Sequence, residues 1–217
     1  MNRKTLFAAS AVVLLLAFAG GSLLYKSERI QRWAKVIGQN EAALASAHSP
    51  SLGSADAKVH IVEFLDPACE TCAEFYPQVK RMMAAHPDRI RLSVRHLPLH
   101  NGSLDVVRML EASRKQGKYW PTLEAVLAHQ SQWVANHVAR PERVWDLLGG
   151  TGLDLAQLRA DMNSPDVARN LERDRSDAKA LDVTMTPEYF VNGRPLPDFG
   201  LAQLQRLVGD AAQAAYR

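Results

Sequence analysis

The 217-residue chain has only two cysteines, no Lys/Arg-rich run interleaved with aromatics, no internal repeat and no long low-complexity tract. Two cysteines exclude a disulfide-rich scaffold. They also leave a zinc site short, because such a site takes about four ligands and there is no second cysteine pair. Without a basic, aromatic-laced run, nothing points to nucleic acid. Charge of either sign is nearly balanced, +3 overall from 26 basic and 23 acidic residues. That small positive excess favours acidic surfaces only weakly. Hydrophobic residues make up 47% of the chain, enough for a core that needs no disulfide.

Long uncharged runs are also scarce, with one exception. Asn2-Arg3-Lys4 is a short basic start, and residues 5–25, TLFAASAVVLLLAFAGGSLLY, carry no charge. Residues 1–25 therefore suggest a signal peptide or an N-terminal membrane anchor, a bilayer span needing about 20 apolar residues. Ala17-Phe18-Ala19 is a small-x-small cleavage site and favours removal. The apolar run continues to Leu24 and Tyr25, which favours retention. A buried core helix is the third reading. In the first two, Arg3 and Lys4 stay in the cytoplasm and the rest is exported. The expected location is the periplasm or the extracytoplasmic face, where disulfides persist.

Residues 26–57 suggest a helical stalk and linker. A helix over 29–44 would place Ile30, Trp33, Ile37 and Leu44 near one face, and HSPSLGSAD, 48–56, has linker composition. Residues 58–217 form the expected compact domain. KVHIVEFL, 58–65, is β-branched and apolar, hence a strand. A helix follows over 69–85, where Pro77 predicts a kink or break. Alternating Ile90, Leu92 and Val94 give a second strand over 88–97. Amphipathic helices fill about 104–181, with Trp120, Trp133 and Trp145 assigned to core. EYFV, 188–191, then turns at Asn192-Gly193 into 194–196. A helix over 201–216 ends the pattern, with Leu204, Leu207 and Val208 inward. The order β-α-β, helical block, β-β-α is an α/β domain with a helical insertion.

Cys69 and Cys72, in DPACETCAEF, lie two residues apart at a strand-to-helix junction. Unpaired backbone N–H groups in a helix's first turn stabilise a thiolate, so Cys69 is the candidate nucleophile. Cys72, one turn further in, would resolve a mixed disulfide. A metal site and a purely structural disulfide are the alternatives; so short a loop would remove little chain entropy. Glu63 is a polar residue in an apolar strand, on the same side as Ile61 and Leu65. Buried, its carboxyl group would have a raised pKa and could shuttle the Cys72 proton; on an edge strand it would face solvent. Glu70, beside Cys69, disfavours a thiolate there. His96 and His100 are candidates to flank the site or to serve as structural histidines. Asp66 is assigned a local turn bond and nothing more.

With VEFLDPACETCAEF, RHLPLH (95–100), QGKYWPTLEAVLAHQSQW (116–133) and TMTPEYFVNGRP (184–195), the chain resembles the DsbA-like thiol-disulfide oxidoreductases. The resemblance implies a thioredoxin-like fold with a helical insertion between the β-α-β and β-β-α halves. It implies an exposed nucleophile at Cys69, a buried partner at Cys72, the buried acid at Glu63 and the cis-proline at Pro187. Thr186 would pair its backbone with substrate. The dipeptide departs from the common pattern: Glu70-Thr71 stands where Pro-His is usual. The implied activity is disulfide exchange with cysteines of exported proteins, in the oxidising direction, with a separate membrane or soluble redox partner. No cofactor and no metal are required, since the dithiol carries two electrons. The alternatives are a reductase or isomerase, a redox-inactive chaperone, and a metal-binding module.

Overall fold

The computed structural model describes residues 2–39, 41–44 and 47–217. Helix α1 (Arg3–Gln39) is one long helix, followed by the single turn α2 (Glu41–Leu44). The stretch Ser10–Val36 is long and apolar enough to cross a membrane. The helix expected over 29–44 is thus the end of α1 plus α2, with Asn40 outside the described residues. The exposed apolar residues of α1 contrast with its later part, where Trp33 packs on Phe190 with ring centroids 5.7 Å apart.

A five-stranded sheet organises the domain. Its strands are β1 (Ser51–Leu52), β2 (Val59–Leu65), β3 (Ile90–His96), β6 (Glu188–Val191) and β7 (Arg194–Pro195), in the order β1-β3-β2-β6-β7. β2 is central, parallel to β3 and antiparallel to β6. Parallel neighbours need a crossover, and α3 (Glu70–Ala85) supplies it. Burial on both faces explains why β2 is almost wholly apolar. α3 runs through Pro77 without the expected break. Residues 51 and 52, inside the stretch of linker composition, pair antiparallel with β3.

The insertion contains α4 (Ser103–Ser113), α5 (Tyr119–Ala128), the short α6 (Gln130–Trp133) and a two-stranded ribbon, β4 (Val134–Ala135) with β5 (Val138–Ala139). It continues with α7 (Pro141–Val144), α8 (Leu155–Asp161) and α9 (Pro165–Ala180). Asp154 caps α8, accepting from the N–H groups of Ala156 and Gln157. The closing helix is α10 (Leu201–Ala215), which buries Leu204, Leu207 and Val208. Of the three insertion tryptophans assigned to core, Trp133 is buried, while Trp120 and Trp145 are partly buried against the core.

The two faces of β2 meet different cores. Ile61 and Leu65 join Cys72, Phe75 and Val79 of α3 in the larger cluster. Val62 and Phe64 join Leu44, Leu97, Leu181 and Phe190 in the smaller one. Side chains alternate along a strand, so Glu63 emerges on the α3 side, beneath the cysteines.

Candidate active site

Cys69 is the N-cap of α3, in extended conformation with φ −76° and ψ 117°. Its carbonyl accepts from Ala73 N–H, which starts the helix. Its thiol therefore sits where the first-turn N–H groups are unpaired. The Cys69 pKa falls from an ordinary 9.0 to about 6. The largest cause is a hydrogen bond from the Cys72 thiol; burial opposes it, and the Cys72 and Thr71 N–H groups and the Thr186 side chain lower it further. Cys72 moves the other way. Burial first, then its bond to Cys69 and the nearby Glu63 and Cys69 charges, hold its thiol well above the ordinary range.

Cys69 keeps 7% of its surface and Cys72 none. The nucleophile candidate is thus more covered than the resemblance implies. The cause is the loop before β6: Cys69 Sγ lies 3.3 Å from the Thr186 carbonyl oxygen. The Thr186–Pro187 peptide bond is cis, as the resemblance implies. Pro187 is buried and Thr186 half-buried.

Glu63 is completely buried in the central strand, directly opposite Tyr189 of β6. Tyr189 Oη donates to Glu63 Oε1 at 2.9 Å. Burial raises the Glu63 carboxyl from 4.5 to about 8; the Tyr189 bond opposes this and the Cys69 charge adds to it. The carboxyl group is therefore mostly protonated at neutral pH.

Asp66 does far more than the local turn bond expected of it. Fully buried, it accepts from Ala68 N–H at 2.9 Å, Leu99 N–H at 2.7 Å, His100 N–H at 2.9 Å and His100 Nδ1 at 2.7 Å, and also from the Ser103 hydroxyl. It joins the loop before Cys69 to the loop after β3. Gln130 Nε2 fastens the same turn from the insertion, donating to the Pro67 and Cys69 carbonyls at 2.7 and 2.9 Å. His96 points into the interior, its Nε2 3.0 Å from Tyr119 Oη, so it does not flank the cysteines; burial lowers its pKa. His100 bonds to Asp66 in the loop before Cys69.

Three residues without a sequence signal complete the rim. Met185 and Phe199 are more than half exposed, and Phe199 stacks on Phe75 with centroids 5.2 Å apart. His137 Nδ1 lies 3.2 Å from Glu70 Oε2.

The family model described as Thioredoxin matches residues 45–210. Among solved structures, a thioredoxin-like oxidoreductase from Silicibacter pomeroyi DSS-3 is 29% identical, covers 80% of this chain and 98% of its own, and superposes with a TM-score of 0.69. The thiol-disulfide exchange protein alpha-DsbA2 from Wolbachia pipientis is 20% identical, with 84% and 97% coverage and a TM-score of 0.71, and supports the fold. Among curated proteins, a Na(+)/H(+) antiporter NhaA from Herminiimonas arsenicoxydans is 32% identical over 87% of this chain. The chain spans only 21% to 30% of the length of the curated relatives it matches. Family match, thioredoxin-like topology with inserted helices, and a CxxC pair at the helix start agree: the chain belongs to the thioredoxin family.

Proposed function

We propose that the protein oxidises cysteine pairs of exported proteins, with Cys69 as the sulfur that meets the client. The observation that carries this reading is the placement of the two thiols, Cys69 at the N-cap of α3 and Cys72 fully buried one turn further in, which lowers the first to about 6 and raises the second. A stabilised Cys69 thiolate favours the reduced dithiol, and so makes the disulfide an oxidant.

A client thiolate attacks Cys69 Sγ in the Cys69–Cys72 disulfide. That S–S bond breaks, and Cys72 leaves with the electron pair. Glu63, protonated at neutral pH, is the proton source for the buried Cys72 thiolate, and it recovers its proton from solvent. A second client thiolate then attacks the client sulfur of the mixed disulfide. Cys69 leaves as a thiolate, held by the helix N–H groups. The client has lost two electrons and the dithiol has gained them. A separate redox partner, in the membrane or soluble, takes them back. In this reading the main chain of Thr186, before Pro187, pairs with an extended client, and the exposed Met185 beside it offers apolar surface.

Residues 10–36 support export, as a signal or as an anchor to the inner membrane. The antiporter named among the curated relatives lends no ion transport to this reading. The matched stretch is less than a third of that protein, and here it contains the disulfide-exchange domain.

The test is the reduction potential of the Cys69–Cys72 couple, with oxidation of a reduced model substrate by wild type and Cys69→Ser. The reading expects a potential between those of thioredoxin and DsbA, about −270 and −120 mV, and no oxidation by the variant. A potential at or below thioredoxin's would replace oxidation with reduction as the activity.

A further inference from the structure

The dipeptide between the cysteines carries a carboxylate where a thiolate must form. Glu70 is the first residue of α3. Its negative charge competes with the Cys69 thiolate for the positive end of that helix and repels it directly. The sequence holds nothing nearby to offset this. The fold does, from 67 residues further on (137 − 70).

The ribbon β4–β5 turns through Asn136 and His137, both with positive φ, 51° and 60°. Two such residues joining paired strands form the tight hairpin turn whose twist matches the strands. The ribbon is seated on the loop after β3: Ala139 N–H donates to the Asn101 carbonyl at 2.9 Å, and Asn101 bridges to Val138. Gly102 permits that contact, since a Cβ there would lie 2.5 Å from the Ala139 carbonyl oxygen. On the other side, Trp133 is buried and its indole donates to the Val126 carbonyl. The tip is therefore fixed in place although the His137 side chain is 73% exposed. It sets Nδ1 3.2 Å from Glu70 Oε2. Behind it the His100 ring lies nearly parallel, at 6.2 Å between centroids and 25° between planes, with Asp66 bonded to its far side. Among the described residues, Glu70 of α3 pairs with the His137 ring and His100 of the loop after β3, backed by Asp66, stacks on it.

We propose that His137 is a positioning residue for the exchange reaction: its imidazolium pairs with Glu70 and removes that carboxylate's opposition to the Cys69 thiolate. The charged ring cancels the carboxylate's charge and the neutral ring cancels nothing. The disulfide is accordingly a stronger oxidant when the ring carries its second proton. The insertion thus acts on the redox couple. This inference rests on Cys69 being the client-facing sulfur.

The test is a double-mutant cycle on the full chain, with His137→Asn, Glu70→Gln and both together. Asn tolerates the positive φ, so the turn is retained. Two quantities are read: the Cys69 pKa from thiolate absorbance, and the equilibrium with glutathione at pH 6.5 and 8.5. His137→Asn is expected to raise the Cys69 pKa by about 0.2–0.7 pH units, the scale of an exposed ion pair. It shifts the glutathione equilibrium about 1.5- to 5-fold at pH 6.5 and leaves it unmoved at pH 8.5. In the Glu70→Gln background it has no effect, and His137→Lys restores the pairing at both pH values. An equal shift with and without Glu70, a shift that persists at pH 8.5, or no shift at all overturns the proposal. Cys69→Ser must abolish the absorbance transition; if it survives, the assignment of Cys69 has failed, whatever the cycle shows.

Discussion

Tyr189 and Glu63 face each other across the centre of the sheet, and the phenol donates to one carboxyl oxygen at 2.9 Å. The other oxygen, Oε2, is buried with no hydrogen-bond partner among the described residues. An unpaired buried oxygen on a charged carboxylate is costly, and protonation lowers the cost. That places a proton on Glu63, under the thiols.

The pH dependence of stability tests this directly. The folded carboxyl group has its pKa raised from 4.5 to about 8. Between those values the native state holds a proton that the unfolded chain has released, so stability falls as pH rises through the window. Glu63→Gln has no such proton to lose. In urea unfolding of the reduced protein, its stability relative to wild type is expected to grow by about 2–5 kcal/mol from pH 4.5 to 8. The same variant should slow the step that expels Cys72 by about tenfold or more in stopped-flow exchange. A constant stability difference across that range would place Glu63 as an ordinary exposed acid.

Cys69 predicts the opposite trend for the reduced form. Its folded pKa is depressed from 9.0 to about 6. Below about 6 the thiol is protonated in both states and contributes nothing. From 6 to 9 the native thiolate is favoured over the unfolded thiol, and the full gain is present above 9. Reduced Cys72→Ala keeps Cys69 but loses the thiol donation that contributes most to the shift. Its thiolate absorbance transition is expected well above that of wild type. Reduced wild type should gain about 2–4 kcal/mol over Cys69→Ser between pH 6 and 9, the burial-driven part of the Glu63 shift being common to both.

The strands β2, β3 and β6 are legible in the sequence because apolar, β-branched runs with turn residues at their ends leave a local signal. So is the CxxC at a helix start. β1 is not: two residues in a Ser- and Gly-containing stretch become a strand only because β3 offers a free edge. The hairpin that delivers His137 escapes too, since Asn-His lacks the glycine of the usual tight turn and both strands are two residues long. The role of Asp66 leaves no local signal, because four of its five donor groups come from residues 99–103, more than thirty positions away. Sequence periodicity reports what a segment buries, whereas these roles depend on what a distant loop brings to it.

Removing the second thiol should trap the client. With Cys72→Ser, Cys69 still attacks a client disulfide, but nothing inside the protein can cleave the product. Discrete larger species are expected on non-reducing gels of cell extracts. They should collapse with dithiothreitol and vanish in the Cys69→Ser/Cys72→Ser double variant. Their mass-spectrometric identification would name the clients. Equal trapping by Cys69→Ser alone would show that the roles of the two cysteines are reversed.

Arg95 yields the last prediction, and it concerns what holds the insertion to the sheet. This arginine on β3, between Val94 and His96, is wholly buried. Its guanidinium lies 3.3 Å from Asp174 Oδ1, contacts Asp177 on the same helix α9, and donates to the Ala43 carbonyl of α2. Asp174 is buried too and also accepts from His96 N–H at 2.8 Å. Removing the arginine alone leaves buried Asp174 to His48 Nε2, 2.7 Å away, and the His96 N–H, a loss of about 3–5 kcal/mol at most. Arg95→Met should therefore destabilise by that amount in urea unfolding. Arg95→Met with Asp174→Asn should recover part of it, because the buried charge is gone. Since Arg95 ties α2 and α9 to the sheet strand beside β2, proteolysis of Arg95→Met should begin in the 41–50 and 174–183 segments, with Cys69 thiolate absorbance unchanged.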